Sequence, residues 1–136
     1  MVRQIAAFAI PVMLVACGPQ STETLKDHLP GAYELFIGTN QSFSRSDFEK
    51  STLVIKTDGT FEVSCFYKSD QPPVNSQGHW TVDSESGAHF DNFLDCAGVG
   101  PLTWGVHGAS LVIEDSTKPQ ILLDPDMNIF YKRSEN

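Results

Sequence analysis

The chain reads as an all-β, antiparallel domain, and three observations carry that reading. Apolar and polar residues alternate with period two from about residue 31 to the C-terminus. Turn-forming residues recur at intervals of about 8–12 residues, the spacing of a barrel or sandwich. No helix-period segment is long enough to cover a parallel sheet. Function is much less legible than fold.

The strands follow in order. Ala32 to Ile37 forms the first, and a Gly/Ser/Asn-rich connection from Gly38 to Ser46 follows, with a turn of helix expected at Asp47 to Lys50. Thr52 to Lys56 and Thr60 to Tyr67 flank Asp58-Gly59, a hairpin signal because glycine accepts positive φ without steric cost. Pro72-Pro73 cannot donate to a ladder, so Ser69 to Gln77 is expected as a loop. Further strands are expected at Gly78 to Asp83, Ala88 to Phe93, Leu102 to His107, Ala109 to Glu114, Gln120 to Leu123 and Ile129 to Arg133. That makes eight or nine short strands. Parity then puts Leu53, Ile55, Phe61, Val63 and Cys65 on the core face, with Trp80, Val82, Leu102, Trp104 and Val106, while His79 and His107 point out.

Before the strands lies a different composition. Residues 1–16 comprise a short n-region with Arg3 and an apolar stretch from about Ile5 to Val15. That is signal-peptide anatomy. The stretch falls short of the ~20 residues a spanning helix needs, and Pro11 interrupts it. It ends in Leu14-Val15-Ala16-Cys17, which resembles the lipobox of bacterial lipoproteins. The resemblance implies that the Cys17 thiol is acylated, that residues 1–16 are removed, and that the mature chain is anchored by several acyl chains. Gly18 stands where an Asp commonly means inner-membrane retention, so the expected location is the periplasmic face of the outer membrane of a Gram-negative bacterium. Residues 17–30 then form the lipidated N-terminus and tether, with a helical turn near Glu23 to His28, and 31–136 the folded domain.

Loss of residues 1–16 leaves 120 residues with 8 Lys+Arg against 17 Asp+Glu, a net charge of −9. One domain fits this length, and two do not. Clustered cations are missing apart from Lys132-Arg133, so a nucleic-acid surface is not expected, and attraction to anionic headgroups is disfavoured on net charge. With Cys17 acylated, Cys65 and Cys96 remain as an even pair in an oxidising compartment, read as one disulfide worth ~3 kcal/mol through loop closure. Without a Cys-x-x-Cys spacing, a redox or metal pair is the weaker reading.

Gly31-Ala32-Tyr33-Glu34-Leu35, Leu53-x-Ile55-x-x-Asp58-Gly59-Thr60-Phe61, Gly78-x-Trp80 and Ile129-Phe130-Tyr131-Lys132 together resemble the layout of small lipocalin-like (calycin-type) bacterial lipoproteins. The resemblance implies an up-and-down barrel of about eight strands. Such barrels hold an apolar ligand or are filled by their own side chains. A ligand pocket would be lined by residues such as Phe61, Trp80 and Trp104.

His89 and Asp91 share a strand face and suit a metal, but no third ligand can be assigned, so solvated polar residues are the stronger reading. Asp124-Pro125-Asp126-Met127-Asn128 matches the acidic start of a calcium loop, and Glu135 falls at its twelfth place, but Ile129 occupies the position that needs glycine. A hairpin turn is expected there instead. Ser86-Gly87-Ala88 and Trp104-x-x-x-Gly108-Ala109 partly resemble membrane-bound lysozyme inhibitors, which would imply an enzyme-binding loop near Ser86 to His89. Catalytic signatures such as Gly-x-Ser-x-Gly, a phosphate loop or His-Glu-x-x-His do not occur. The expectation is therefore a lipid-anchored, non-enzymatic binding module without cofactor or metal, taking a small apolar ligand or an envelope protein. An enzyme inhibitor is the runner-up, and a hydrolase built from distant residues the third reading.

Overall fold

In the computed structural model, the residues described are 22–38, 47–68, 72–96, 105–124 and 128–134. One helix, α1 (Thr22–His28), precedes eight strands: β1 (Gly31–Ile37), β2 (Phe48–Ile55), β3 (Thr60–Tyr67), β4 (Val74–Ser84), β5 (Gly87–Asp95), β6 (Gly105–Glu114), β7 (Gln120–Asp124) and β8 (Ile129–Arg133). Each strand pairs antiparallel with the next, and β1 pairs with β8. The sheet is thus a closed up-and-down barrel, lipocalin-like in architecture, with no free edge.

Short connections join β2 to β3, β4 to β5 and β6 to β7 at one end, where α1 also packs. At the other end the connections include 39–46, 69–71, 97–104 and 125–127, which lie outside the described residues. Asp58 holds the β2–β3 turn by accepting from the Thr60 amide (3.0 Å) and hydroxyl (2.6 Å), with Gly59 at φ 89°. These bonds favour the carboxylate and lower its pKa, the Thr60 hydroxyl most of all. The expected disulfide is present, joining Cys65 at the end of β3 to Cys96 just past β5.

Alternation predicts the inward face well. Leu53, Ile55, Phe61, Val63 and Cys65 are all buried, and Trp80 is 6% exposed. Three expectations about the strands need correction. Residues Phe48 to Lys50 are strand rather than helical turn: Phe48 pairs with Tyr67 across a bulge, and its ring meets the Tyr67 ring edge-on. The loop ends at Pro73, because Val74 to Gln77 complete a ladder with β3 despite their exposed, mostly polar side chains. The two strands expected at Leu102–His107 and Ala109–Glu114 are one, β6. Parity along it is set by buried Ala109, Leu111 and Ile113, which sends Val106 outward at 55% exposure. Leu102 and Trp104 lie outside the described residues, as does the side chain of His107.

The helical turn expected near Glu23 to His28 is present as α1. Seven residues are too few for a helix to persist alone in water. Glu23 in its first turn and Lys26 and His28 in its last suit the macrodipole. Its main support is tertiary, however, since Leu25 and Leu29 are fully buried in the barrel core. Packed structure therefore reaches back to Thr22, into the segment read as tether.

Candidate functional site

Among the described residues, aromatic side chains pack against one another inside the barrel. Phe61 meets Phe90 edge-on at 5.2 Å between centroids, Phe90 meets Phe93 at 5.7 Å, and Phe93 meets Tyr131 at 6.1 Å. All four rings are buried, at 1% exposure or less. A bulge in β5, with Asn92 at φ 50°, breaks the strand's parity and lets both Phe90 and Phe93 point inward. Beyond the aromatic layer, Tyr131 and Ser51 share a hydrogen bond of 2.7 Å, with Asp95 buried near them. Burial pushes the Tyr131 phenol far above its usual range, and the Asp95 charge adds to the shift, against the Ser51 bond.

Of the expected pocket residues, Phe61 and Trp80 are both buried in the barrel core. Phe61 belongs to the packed layer. Trp80 sits at the helix end, where its indole nitrogen donates to the Lys56 carbonyl at 2.9 Å. Trp104 lies outside the described residues, as does Cys17.

The polar motifs are likewise separate. His79 and Asp91 pair across β4 and β5, with Nδ1 3.7 Å from Oδ2, and the Asp91 carboxylate also accepts from the His79 amide. His89 instead turns its Nδ1 toward Ser110 Oγ at 2.9 Å. These are two surface pairs on the outer wall, not one Ser/His/Asp cluster. Among the described residues no group of three His, Cys, Asp or Glu is placed to hold a metal. The calcium-like motif falls largely outside the described residues. Ser86 is exposed in the tight β4–β5 turn, but Gly87 and Ala88 behind it are buried, so little of this motif projects.

What the outer wall does offer is a surface of two parts. An apolar row crosses four adjacent strands in register: Phe36 opposes Phe130, Phe130 opposes Leu122, and Leu122 opposes Val112. Phe36 is 45% exposed and Val112 55%, and the Phe36 and Phe130 rings lie 5.0 Å apart. One step along each strand toward the helix end runs a polar row, Glu34, Lys132, Gln120 and Glu114.

Against that polar row the β6–β7 turn folds a cleft of about 530 Å³, lined in part by Glu114, Asp115, Lys118, Lys132 and Arg133. A shallower depression of about 300 Å³ adjoins it, sharing Lys132 and Arg133 and reaching Phe36. The Asp115 carboxylate is committed to its own turn, accepting from the Thr117 hydroxyl (2.8 Å), the Thr117 amide (3.2 Å) and the Lys118 amide (3.3 Å). Those bonds, the Thr117 hydroxyl foremost, lower its pKa. Among the described residues, no carboxylate oxygen lies within 4.0 Å of the charged nitrogens of Lys118, Lys132 or Arg133. Arg133 Nε is buried and lacks a partner. Sequence reading noted Lys132-Arg133 as adjacent cations but could not bring Lys118 or the apolar row to them, since strand pairing does that.

The fold defines a class: a closed eight-stranded antiparallel barrel, with an aromatic layer packed inside it among the described residues. Compared with protein families, curated proteins and solved structures, the chain matches none.

Proposed function

We propose that this protein is an envelope lipoprotein, acylated at Cys17, whose barrel is a binding module that works through its outer wall rather than its lumen. The observation that carries the reading is the coexistence of a packed aromatic layer inside the barrel with the outer-wall apolar row Phe36, Phe130, Leu122 and Val112, exposed at its two ends and half-buried between. Exposed apolar surface costs free energy in water, and contiguous patches mark contact sites more often than chance. The lipobox-like Leu14-Val15-Ala16-Cys17 supports the anchor. From Cys17 to the start of α1 at Thr22 the chain spans at most ~17 Å, by the reach of extended backbone. The anchored barrel is then held close to the bilayer with its helix end facing it.

The test is metabolic labelling with a fatty-acid analogue in a diderm host, comparing the native chain with Cys17→Ser. Acylation and membrane fractionation of the native chain alone are expected. Equal labelling of both chains, or none of either, refutes the anchor. For the binding surface, Phe36→Asp should reduce recovery of a crosslinked envelope component without lowering the melting temperature by more than a few degrees. Unchanged crosslinking with Phe36→Asp refutes the outer-wall reading.

A further inference from the structure

We propose that the cleft between β8 and the β6–β7 turn binds the phosphate headgroup of an anionic phospholipid in the bilayer to which the protein is anchored. The inference rests on the outer-wall reading and names its ligand. Five charged side chains line the cleft, three of them cations, Lys118, Lys132 and Arg133, and two carboxylates, Glu114 and Asp115. Asp115 already serves three donors of its own turn. Among the described lining residues the count leaves one positive charge in excess, in a chain whose Asp and Glu outnumber its Lys and Arg 17 to 9.

Among the described residues, no carboxylate oxygen comes within 4.0 Å of the charged nitrogens of these three cations. Arg133 in addition carries a buried nitrogen that nothing satisfies. Its Nη2 donates to the His28 carbonyl and the Tyr33 hydroxyl, which holds the guanidinium in place beside the cleft. A guanidinium beside two ammonium groups suits a tetrahedral oxyanion with several acceptor oxygens better than a single carboxylate. The net charge of the chain does not oppose this at short range, because charges beyond ~8 Å are largely screened at physiological ionic strength.

Two further observations select a lipid. The adjoining depression runs from Lys132 and Arg133 to Phe36, so a headgroup in the cleft has apolar surface beside it. Arg133 donates to the His28 carbonyl at the end of α1, which places the cleft at the helix end, the end nearest the anchor.

Amine footprinting of the full acylated chain tests this, with the chain reconstituted in phosphatidylcholine vesicles with and without phosphatidic acid. Labelling of Lys118 and Lys132 should slow about fivefold when phosphatidic acid is present, the factor expected for one Lys contact with an anionic surface. Lys50, near the other end of the barrel, should label at the same rate in both. Lys132→Gln should abolish the protection of Lys118, and Lys132→Arg should retain it. Equal labelling of Lys118 with and without phosphatidic acid overturns the proposal. So does protection by inorganic phosphate alone in neutral vesicles, which assigns the cleft to a free anion, or protection that scales with protein density, which assigns it to a second copy. Failure of the chain to stay on vesicles at all refutes the anchor instead, so the two failures are told apart.

Discussion

The Arg133 guanidinium lies 5.1 Å over the Tyr33 ring and donates to the Tyr33 hydroxyl at 2.8 Å. Tyr33 in turn donates to the Leu29 carbonyl at 2.5 Å, and Arg133 also donates to the His28 carbonyl. The last residues of α1 and the one after it are thus pinned to β1 and β8 by two side chains. This latch closes the helix end of the barrel, since Leu25 and Leu29 enter the core only if the chain turns in at that point.

Removing the latch should loosen α1 before it unfolds the barrel. Tyr33→Phe deletes the Leu29 bond and the acceptor for Arg133, at a cost of about 2 kcal/mol for a hydrogen bond to a charged group. Hydrogen exchange should speed up over Thr22–His28 and remain slow in β3. Uniform acceleration across all strands would contradict a local latch.

The packed interior makes a prediction about cavities. Phe93 touches the rings of Phe61, Phe90 and Tyr131, so Phe93→Ala should destabilise by about 3–5 kcal/mol. An apolar cavity should then bind benzene or xenon, detectable as a rise in melting temperature. The native protein should show no such rise.

Gly78 is required by a close approach. A Cβ there would collide with the Asp91 carbonyl oxygen and carboxylate, and would also press on the Phe61 ring at 3.0 Å. Backbone cannot yield as a flexible side chain does, so Gly78→Ala should cost about 1–3 kcal/mol by overpacking, read as a shift in denaturant midpoint.

The disulfide ties β3 to the end of β5 across a sequence separation of 31. Replacing both Cys65 and Cys96 with Ala should lower stability by about 3 kcal/mol, mainly by freeing the unfolded chain. Equilibrium denaturation of the double variant against the oxidised native chain measures the difference.

Alkaline stability follows from the tyrosines. Burial raises the pKa of Tyr33, though Arg133 works against the shift, and raises that of Tyr131 further. A raised folded pKa means stability that is complete below the unfolded value of about 10 and lost as pH climbs through the folded one. Denaturant midpoints should therefore fall above pH ~10, and the phenolate absorbance of Tyr131 should appear only as the barrel opens. At the acid end the sign reverses. Asp58 and Asp115 have lowered values, so their contribution is present above the usual carboxyl range and lost as pH falls through it.

Much of the fold was legible because alternation and turn chemistry are local. Asp58-Gly59 announced its hairpin, and Phe61, Val63 and Cys65 announced a core face. The local rule stops holding where a bulge or a polar ladder intervenes. In β5 the bulge at Asn92 brings Phe90 and Phe93 onto one side, although they are three residues apart and simple parity sends them opposite ways. Val74 to Gln77 show no apolar alternation, because that half of β4 is held by backbone pairing to β3 and buries little. Residues Leu25 and Leu29 sat in a polar stretch and gave no periodic signal, yet they plug the barrel.

The cleft was illegible for a related reason. Lys118 and Lys132 come together only because β7 pairs with both β6 and β8, and Phe36 joins them only because β1 closes the barrel against β8. By itself the sequence determined the all-β class, the pairing of the two cysteines and most of the inward face, since each follows from spacing along one strand or from a parity of counts. Only the tertiary structure decided that the interior is packed, that α1 seals one end, and that three cations converge beside an apolar row. Those depend on which strands are neighbours and where bulges shift their register, and no single stretch of chain carries that information.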